Sequence, residues 1–385
     1  MTWPQSRPFT NRVIMQPVKL FLCGDVMTGR GIDQILRHPS AAQIYEPYVK
    51  DALDYVRLAE RASGPVPRRV DDAYIWGDGL EELERAQPDA RIINLETAVT
   101  QTDDWLEKGI NYRMHPQNVG CLAAARIDCC TLANNHVLDW SEQGLIETLD
   151  TLHAAGLRTA GAGRNVDEAQ APARLPSVLV YSVGCEDSGI PPSWAASAER
   201  PGVNFLADLS TRSAERLAER IHATRQPGDL VVVSIHWGGN WGYRVPRGHS
   251  EFARRLIDAG GADVIHGHSS HHPKAIEVYR GRLILYGCGD FINDYEGISG
   301  QDEFRGDLGL MYFPRLDAES GELIDLELVA LCRRRLRLER ASEIDCAWLC
   351  GVLNKEGERF GIAFQMRPGS RFALARATAS AGKVA

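Results

Sequence analysis

The chain has 385 residues, of which 44% are hydrophobic and 24% are charged, and its formal net charge is −8 at pH 7. This is the composition of an ordinary globular protein, long enough for one large domain with insertions or for two smaller ones. The acidic balance excludes a global electrostatic attraction to nucleic acid or to an anionic membrane.

The N-terminus and the cysteines bear on where the protein resides. Residues 1–16 contain two prolines and two arginines but no apolar run of the ~7–15 residues that a secretory signal needs. We expect a flexible segment there, with translation starting at Met1 or at Met15. No stretch reaches the ~20 apolar residues of a membrane span. The nine cysteines lie mostly within apolar runs, which indicates buried reduced thiols and a soluble, cytoplasmic protein.

Short apolar runs rich in β-branched residues alternate with amphipathic stretches, which is the pattern of an α/β layered fold. The apolar runs predict strands at residues 18–23, 91–94, 127–132, 177–183, 230–235, 262–265 and 283–286. The amphipathic stretches predict helices at residues 79–85, 143–155, 210–224 and 250–259. Polar motifs follow most of these strands, at the ends where open α/β sheets place their ligands.

Two segments depart from this alternation. Residues 39–78 are rich in Tyr, Pro and Arg and indicate an insertion, which either covers one edge of the core or closes over a substrate as a lid. Residues 309–340 combine β-rich runs with a basic block at 333–337, interpreted as a solvated face rather than a nucleic-acid patch. We expect a single catalytic domain over residues 17–372 and a flexible tail over 373–385.

The densest polar motif is residues 265–272, where four of the eleven histidines fall within seven residues behind a strand-like run. Imidazole is the commonest neutral metal ligand, and a strand that ends in a loop can turn two rings toward one point. Four further motifs rich in Asp, Asn, Glu and His occur at residues 24–27, 94–96, 133–136 and 234–237. The five motifs predict one convergent metal site.

In chain order, Gly-Asp, Asn-x-Glu, Asn-Asn-His, His-Trp-Gly and Gly-His-x-x-His resemble the motifs of the CapA family of capsule and poly-γ-glutamate biosynthesis, within the calcineurin-like metallophosphoesterase superfamily. The resemblance covers about residues 18–294. It implies a four-layer sandwich of two mixed β-sheets flanked by helices, with metal ligands on loops at the sheet ends. It also implies a substrate that is a peptide or a small polyanion.

Carried over by position, the resemblance implies a specific set of metal ligands. This set is Asp25, Glu96, Asn135, His236, His268 and His271. Mixed nitrogen and oxygen ligation suits one or two ions of Mn²⁺, Fe²⁺, Zn²⁺ or, with waters completing the sphere, Ca²⁺. Met27 stands where the phosphoesterases have a histidine, which removes one nitrogen ligand. Glu96 stands where they have an aspartate that bridges two metals.

The same resemblance implies that His136 protonates a leaving group. Asp139, three residues later, either orients that imidazole or caps the helix that follows. Asp290 could act as an acid or base, or its hydrogen bonds could stabilise its loop. These three residues are the predicted catalytic groups.

Four further residues are predicted to surround the substrate. Arg113 and Arg244 could bind a carboxylate or a phosphate in a bidentate manner, although each could equally form a structural ion pair. His266 and His272 flank the two ligands of the histidine motif and are expected to lie next to the metal ligands.

Three functions remain open on the sequence. The first is a metal-dependent hydrolase of an amide or phosphoester, with a peptide or polyglutamate-type substrate. The second is a peptide epimerase, as in ribosomal lasso-peptide maturation, which removes and returns a proton beside a carbonyl. The third is a non-catalytic component of poly-γ-glutamate or capsule assembly. The sequence leaves the oligomeric state open.

Overall fold

The computed structural model describes residues 16–376. The predicted flexible N-terminal segment, apart from Gln16, and the two alternative start residues lie outside this range, as does the tail from residue 377. Within it, no helix combines the length and the apolar character that crossing a membrane requires. Each of the nine cysteines is a free thiol, and all but Cys332 are buried, which confirms the prediction of buried reduced thiols.

The strands follow one another along the chain as β1 (Val18–Val26), β2 (Ala90–Leu95), β3 (Ala98–Val99), β4 (Arg113–Met114), β5 (Cys129–Thr131), β6 (Arg158–Ala160), β7 (Ala162–Gly163), β8 (Ala173–Leu175), β9 (Val178–Cys185), β10 (Gly202–Val203), β11 (Phe205–Leu206), β12 (Leu230–His236), β13 (Val264–His268), β14 (Ile276–Tyr279), β15 (Arg282–Leu285), β16 (Asp290–Ile292), β17 (Leu308–Leu316), β18 (Leu323–Arg334), β19 (Arg337–Arg340), β20 (Ile362–Arg367) and β21 (Arg371–Arg376). The helices are α1 (Gly31–Ile35), α2 (Leu53–Ser63), α3 (Gly79–Ala86), α4 (Gly120–Ala124), α5 (Ser141–Ala154), α6 (Val166–Gln170), α7 (Thr211–Thr224), α8 (Arg247–Asp258) and α9 (Glu343–Gly357).

Two large mixed sheets carry most of these strands. The ten-stranded sheet has the order β20-β21-β18-β17-β1-β2-β5-β6, with β16 paired to β1 and β19 to β18. Its β1, β2, β5 and β6 are parallel, whereas β17 and β18 are antiparallel to their neighbours. The seven-stranded sheet has the order β11-β9-β12-β13-β15-β14, with β8 paired to β9. Its parallel centre is fully buried, which explains the continuous apolar runs in the sequence.

The two sheets pack face to face. Leu20 and Leu22 of β1 lie in one apolar cluster with Val180 of β9 and Val232 of β12, so this cluster fills the space between the sheets. Because side chains alternate along a strand, the intervening residues of β1 point to the opposite face, where they pack with α2, α3, α4 and α5. The outer face of the smaller sheet packs against α7 and α8. The structure therefore confirms the predicted four-layer α/β sandwich.

Two predictions about the C-terminal third are wrong in part. Residues 373–376 were expected in a flexible tail, but they belong to β21, which pairs with both β18 and β20. The basic block was expected to be a solvated face, but its first residue, Arg333, is only 5% exposed. The Arg333 guanidinium donates to the backbone carbonyls of Asp290, Phe291, Gly306 and Leu308. These carbonyl partners allow the charged group to be buried.

Candidate metal centre

Strand register brings the predicted ligands to one edge of the sandwich. His236 and His268 end the parallel strands β12 and β13, and they lie opposite each other in the ladder. Directly paired residues of a parallel ladder point to the same face, so the two rings meet. In the other sheet, Asp25 of β1 lies opposite both Asn94 of β2 and Asp290 of β16.

Asp25, His236 and His268 form the compact donor group of this edge. One ligand atom from each of the three lies within 4.8 Å of the other two, and all three side chains are buried. The Nδ1 atoms of the two histidines are 2.7 Å apart, and Nδ1 of His268 lies 3.8 Å from Oδ1 of Asp25. This group could hold a metal ion.

Hydrogen bonds behind the donor group fix the orientation of His268. The carbonyl of Cys23 can only accept, so Nε2–H of His266 donates to it at 2.7 Å. The Ser234 hydroxyl donates its one proton to Oγ1 of Thr131 at 3.1 Å, so its oxygen accepts from Nε2–H of His268 at 2.7 Å. This assignment leaves Nδ1 of His268 unprotonated and turned toward Asp25 and His236, as a metal ligand requires.

The pKa shifts of these side chains are compatible with a bound cation. Burial lowers the pKa of His236 and of His268 well below the usual value, so both rings are neutral and offer lone pairs. Burial and then mutual repulsion of carboxylates raise the pKa of Asp25 and of Glu96. A divalent cation among these groups would favour the ionised carboxylates and use the imidazole lone pairs, so the residues present fit a bound metal.

Asp25 is itself held by two neighbours. Asn94 Nδ2 donates to Oδ1 of Asp25 at 2.7 Å and to Oε2 of Glu96 at 3.3 Å. The backbone N–H of Ser269 donates to the other oxygen of Asp25 at 3.1 Å, and the Ser269 hydroxyl donates to the carbonyl of Gly238. Ser269 has a φ of 94°, which a residue other than glycine adopts only under strain. Each carboxylate oxygen of Asp25 therefore accepts one of these hydrogen bonds.

Glu96 and Asn135 lie beside the compact group. Oε1 of Glu96 is 4.0 Å from Nε2 of His236, and Oδ1 of Asn135 is 3.0 Å from the same nitrogen. In this arrangement the amide of Asn135 accepts from the His236 ring and orients it. Both residues remain predicted ligands that the geometry brings next to the site.

His136 forms a dyad with Asp139. Nδ1–H of His136 donates to Oδ2 of Asp139 at 2.7 Å, and Nε2 lies 3.8 Å from Oε1 of Glu96. The same Asp139 oxygen accepts from the backbone N–H of Tyr112 at 2.6 Å. Helix α5 begins after Trp140 without a side-chain cap, so Asp139 contacts the imidazole and does not cap the helix. Burial lowers the pKa of His136 to about 4.

Lys108 joins this dyad and was not anticipated from the sequence. Its Nζ donates to Oδ1 of Asp139 at 2.6 Å and to the carbonyl of Asn135, and it lies 5.1 Å from the ring centroid of Trp194. Residues 101–112 form no helix or strand, so no periodic pattern marks the lysine. The tertiary fold alone brings it to Asp139.

A second histidine–aspartate pair forms the other side of the centre. Nδ1–H of His271 donates to Oδ1 of Asp290 at 2.9 Å. Burial lowers the pKa of His271, but the charge of Asp290 outweighs it, so the pKa is raised. His271 and Asp290 line a cavity of about 680 Å³, whose wall also includes Tyr295, Trp241 and Arg30. This volume is typical of small-molecule and peptide sites.

The structure places His266 and His272 outside the cavity lining, although His266 lies beside the predicted ligand His268, with ring centroids 5.2 Å apart. His266 is fully buried, and both of its ring nitrogens lie close to polar groups within the fold. His272 is also fully buried, where it packs against the rings of Trp241, Tyr243 and Phe304. Residues two apart in a strand share a face, so His266 points the same way as His268 but lies two residues deeper in β13, away from the strand end where the ligands meet.

The two predicted arginines lie in different settings. Arg113 of β4 donates to the carbonyl of Thr102 at 2.9 Å and to Asp103 at 3.0 Å, and its guanidinium lies 3.9 Å from the Trp140 ring centroid. It therefore makes the structural contacts that the sequence left as its alternative. Arg244 is exposed on the segment after β12, and its role stays a prediction.

The family and the relatives agree with the motif order. The family model described as bacterial capsule synthesis protein PGA_cap matches residues 19–295. Probable polyglutamine synthesis accessory proteins from two Mycobacterium tuberculosis strains are each 48% identical over 358 residues, which span 91% of this chain and 94% of theirs. The PGA biosynthesis protein CapA of Bacillus subtilis is 28% identical over 277 residues, or 70% of this chain and 62% of the relative.

Among solved structures, a phosphatase from Mycoplasma pneumoniae superposes with a TM-score of 0.44 at 12% identity, covering 83% of this chain and 95% of the phosphatase. The family match extends over most of the chain and includes every strand-end motif of the centre. The chain therefore belongs to the PGA_cap family of bacterial capsule synthesis proteins, to which CapA belongs.

Proposed function

We propose that this protein is a metal-dependent hydrolase that cleaves an amide or phosphoester bond. The observation that carries the proposal is the convergence of Asp25, His236 and His268 on one buried point, beside the His136–Asp139 dyad. A buried group of this kind, next to a large cavity, is typical of a catalytic centre.

The division of roles follows from the contacts. Asp25, His236 and His268 would hold the metal, with Glu96, Asn135 and His271 next to them. A bound divalent ion lowers the pKa of water and polarises carbonyl or phosphoryl oxygens. Asp139 holds the proton on Nδ1 of His136, so Nε2 is the atom that takes up or gives a proton during the reaction. Lys108 contacts the other oxygen of Asp139 at 2.6 Å and helps to hold the carboxylate in place.

The cellular role that we propose is in the synthesis of a polyglutamate-type polymer. It is supported by the names of the relatives, two of which are polyglutamine synthesis accessory proteins and one a PGA biosynthesis protein. Because the word accessory also describes non-catalytic components, an assembly role without chemistry is the alternative that the following experiment addresses.

The test is turnover by protein loaded in turn with Mn²⁺, Zn²⁺, Fe²⁺ and Ca²⁺. The probes are bis(p-nitrophenyl) phosphate and γ-glutamyl p-nitroanilide, which report on phosphoester and amide cleavage. We expect metal-dependent release of chromophore that is lost in His136→Ala. Metal binding without release of either chromophore, and without cleavage of poly-γ-glutamate, would contradict the hydrolase and favour the assembly role.

A second candidate is a metal-dependent peptide epimerase. It is supported by the presence of two histidine–aspartate pairs in one site, His136–Asp139 and His271–Asp290, since epimerisation needs one group to take a proton and another to return it. In heavy water an epimerase would add one deuterium to a peptide without fragmenting it, whereas a hydrolase would produce two fragments. Mass spectrometry separates the two outcomes.

A further inference from the structure

The cavity beside His271 has an apolar rim. Its lining includes Trp241, Ile298 and Ile110, whose side chains are 37%, 50% and 43% exposed. Large apolar side chains left in water around the mouth of one cavity are typical of a ligand-binding site. Trp241 also packs on His271, with ring centroids 5.2 Å apart, so the apolar rim continues directly to the catalytic side of the cavity.

The arginines of the cavity give it little free positive charge. Arg30 is paired with Asp294 and with Glu46, so its charge is compensated twice. Arg305 likewise pairs with Asp307 and with Asp345. Neither guanidinium is available to attract an anion from solution.

Apart from the His271–Asp290 pair, the remaining charged groups of the lining are two arginines and two carboxylates. Among the residues that the structure describes, Arg333 and Arg334 have no carboxylate at ion-pair distance, and neither Glu296 nor Asp302 has a cation there. Glu296 accepts from the backbone N–H of Leu336, and its other oxygen has no hydrogen-bond partner within the described part of the chain. A polyanionic chain would meet these carboxylates without a surplus of cations to offset the repulsion.

We infer that the cavity binds an uncharged, peptide-like chain and places an apolar side chain against Trp241 and Ile298, next to the bond that reacts. This substrate class rests on the catalytic part of the proposed function, because it assumes that the centre at His271 is the place of reaction, and it replaces the polyglutamate-type polymer with a peptide as the substrate. A cavity of about 680 Å³ has room for several residues of such a chain. The inference separates this protein from an enzyme that holds polyglutamate along a basic groove.

Binding can be measured without turnover, by calorimetry on the metal-loaded protein. The two probes are a short, capped peptide of glycine and leucine and an oligo-γ-glutamate of equal length. We expect the apolar peptide to bind at least about tenfold more tightly, with little dependence on salt, since apolar contact is hardly screened. Equal or tighter binding of oligo-γ-glutamate would overturn the inference.

Substitutions locate the contact. Ile298→Ser should weaken binding of the apolar peptide by about tenfold (about 1.4 kcal/mol), because the bound peptide would cover the isoleucine side chain. The matched control is Ile324→Ser, which changes an isoleucine of β18 that is 43% exposed and does not line the cavity. Trp241→Ala should act in the same direction as Ile298→Ser. Identical affinities for the wild type and both rim variants would also overturn the inference.

These results are separable from those of the proposed function. Peptide binding that the rim substitutions weaken, without cleavage of any probe, would support the apolar substrate class and contradict the hydrolase. Cleavage of γ-glutamyl p-nitroanilide with no effect of Ile298→Ser on peptide binding would support the hydrolase and contradict the apolar substrate class.

Discussion

The Ser234 hydroxyl and Nε2 of His268 lie 2.7 Å apart on neighbouring strands, and this contact decides which ring nitrogen of His268 faces Asp25. A residue that does not touch the ligand position therefore fixes the tautomer of one that does. Such orienting hydrogen bonds commonly contribute 10–100-fold (about 1.4–2.7 kcal/mol) to metal affinity.

The first prediction is that Ser234→Ala weakens metal binding by about 10–100-fold without unfolding the protein. The variant removes the acceptor of the His268 Nε2 proton, so the ring is free to take the other tautomer. Metal competition titrations measure the affinity, and elemental mass spectrometry measures the stoichiometry.

A matched control for this variant lies directly opposite on β9. Ser182 is paired with Ser234 in the strand ladder, and its buried hydroxyl has no hydrogen-bond partner among the described residues. Ser182→Ala should leave metal affinity unchanged. Equal losses in both variants would show that Ser234 acts on the packing of the sheet and not on the tautomer.

The second prediction concerns the carboxylate behind His136. Asp139→Asn should lower turnover by about 100-fold or more while metal content stays unchanged, since the amide no longer holds a proton on Nδ1 of His136. Glu142→Gln is the control, because Glu142 is an exposed acid in the first turn of α5. Loss of bound metal in Asp139→Asn would instead place the aspartate among the groups that hold the ion.

The third prediction addresses the insertion at residues 39–78. Arg30 is 3% exposed and lies over the ring of Tyr55, with its guanidinium between Glu46 of the insertion and Asp294, which follows β16. Glu46→Ala leaves Arg30 paired with Asp294 but removes a hydrogen-bond acceptor from both Arg30 and the Tyr55 hydroxyl, so it should lower the free energy of unfolding by about 2 kcal/mol. Denaturant unfolding measures the loss.

Hydrogen exchange distinguishes a fixed wall from a lid in the same segment. We expect slow exchange over α2 in the wild type and faster exchange in Glu46→Ala. Asp54→Asn, which alters an exposed ion pair with Arg57, is the control and should have little effect. Fast exchange of α2 already in the wild type would indicate a mobile lid.

The fourth prediction is a pH dependence of stability from Glu82. Burial raises the pKa of this carboxyl, but hydrogen bonds from Arg85, Arg340 and Arg371 outweigh the effect, so its pKa is lowered in the folded protein. The unfolded state then binds more protons in acid, and the stabilisation is present above the unfolded pKa and is lost as pH falls through the folded value. Glu82→Gln should flatten this acid dependence of Tm.

At neutral pH the same variant should lower the free energy of unfolding by about 1–3 kcal/mol, because three partly exposed arginines lose their shared partner. Glu81→Gln is a useful comparison, since Glu81 is exposed and, within the described part of the chain, pairs with Arg340 alone of these arginines, at 2.9 Å. The same change in acid dependence for both variants would assign the effect to net charge.

Hydrophobic patterning was enough to predict the central strands, because β1, β9 and β12 each contain a continuous apolar run. The strand-end motifs were enough to predict that Asp25, His236 and His268 converge. Register was not predictable, and register is what places His236 opposite His268. A charge pattern also does not reveal burial, so the carbonyls that surround Arg333 were unforeseen. Lys108 lies in a segment without periodicity and could be found only in three dimensions.

The backbone of Ser269 has a consequence for the engineering of this protein. A serine at a φ of 94° costs about 1–3 kcal/mol relative to relaxed backbone, and glycine at the same position removes most of that strain. A directed-evolution campaign that rewards only heat resistance would therefore favour Ser269→Gly. The same exchange removes the hydroxyl that anchors this turn to Gly238 and gives the N–H that faces Asp25 more freedom. Selection for heat resistance would favour glycine at position 269, whereas selection for function would favour serine.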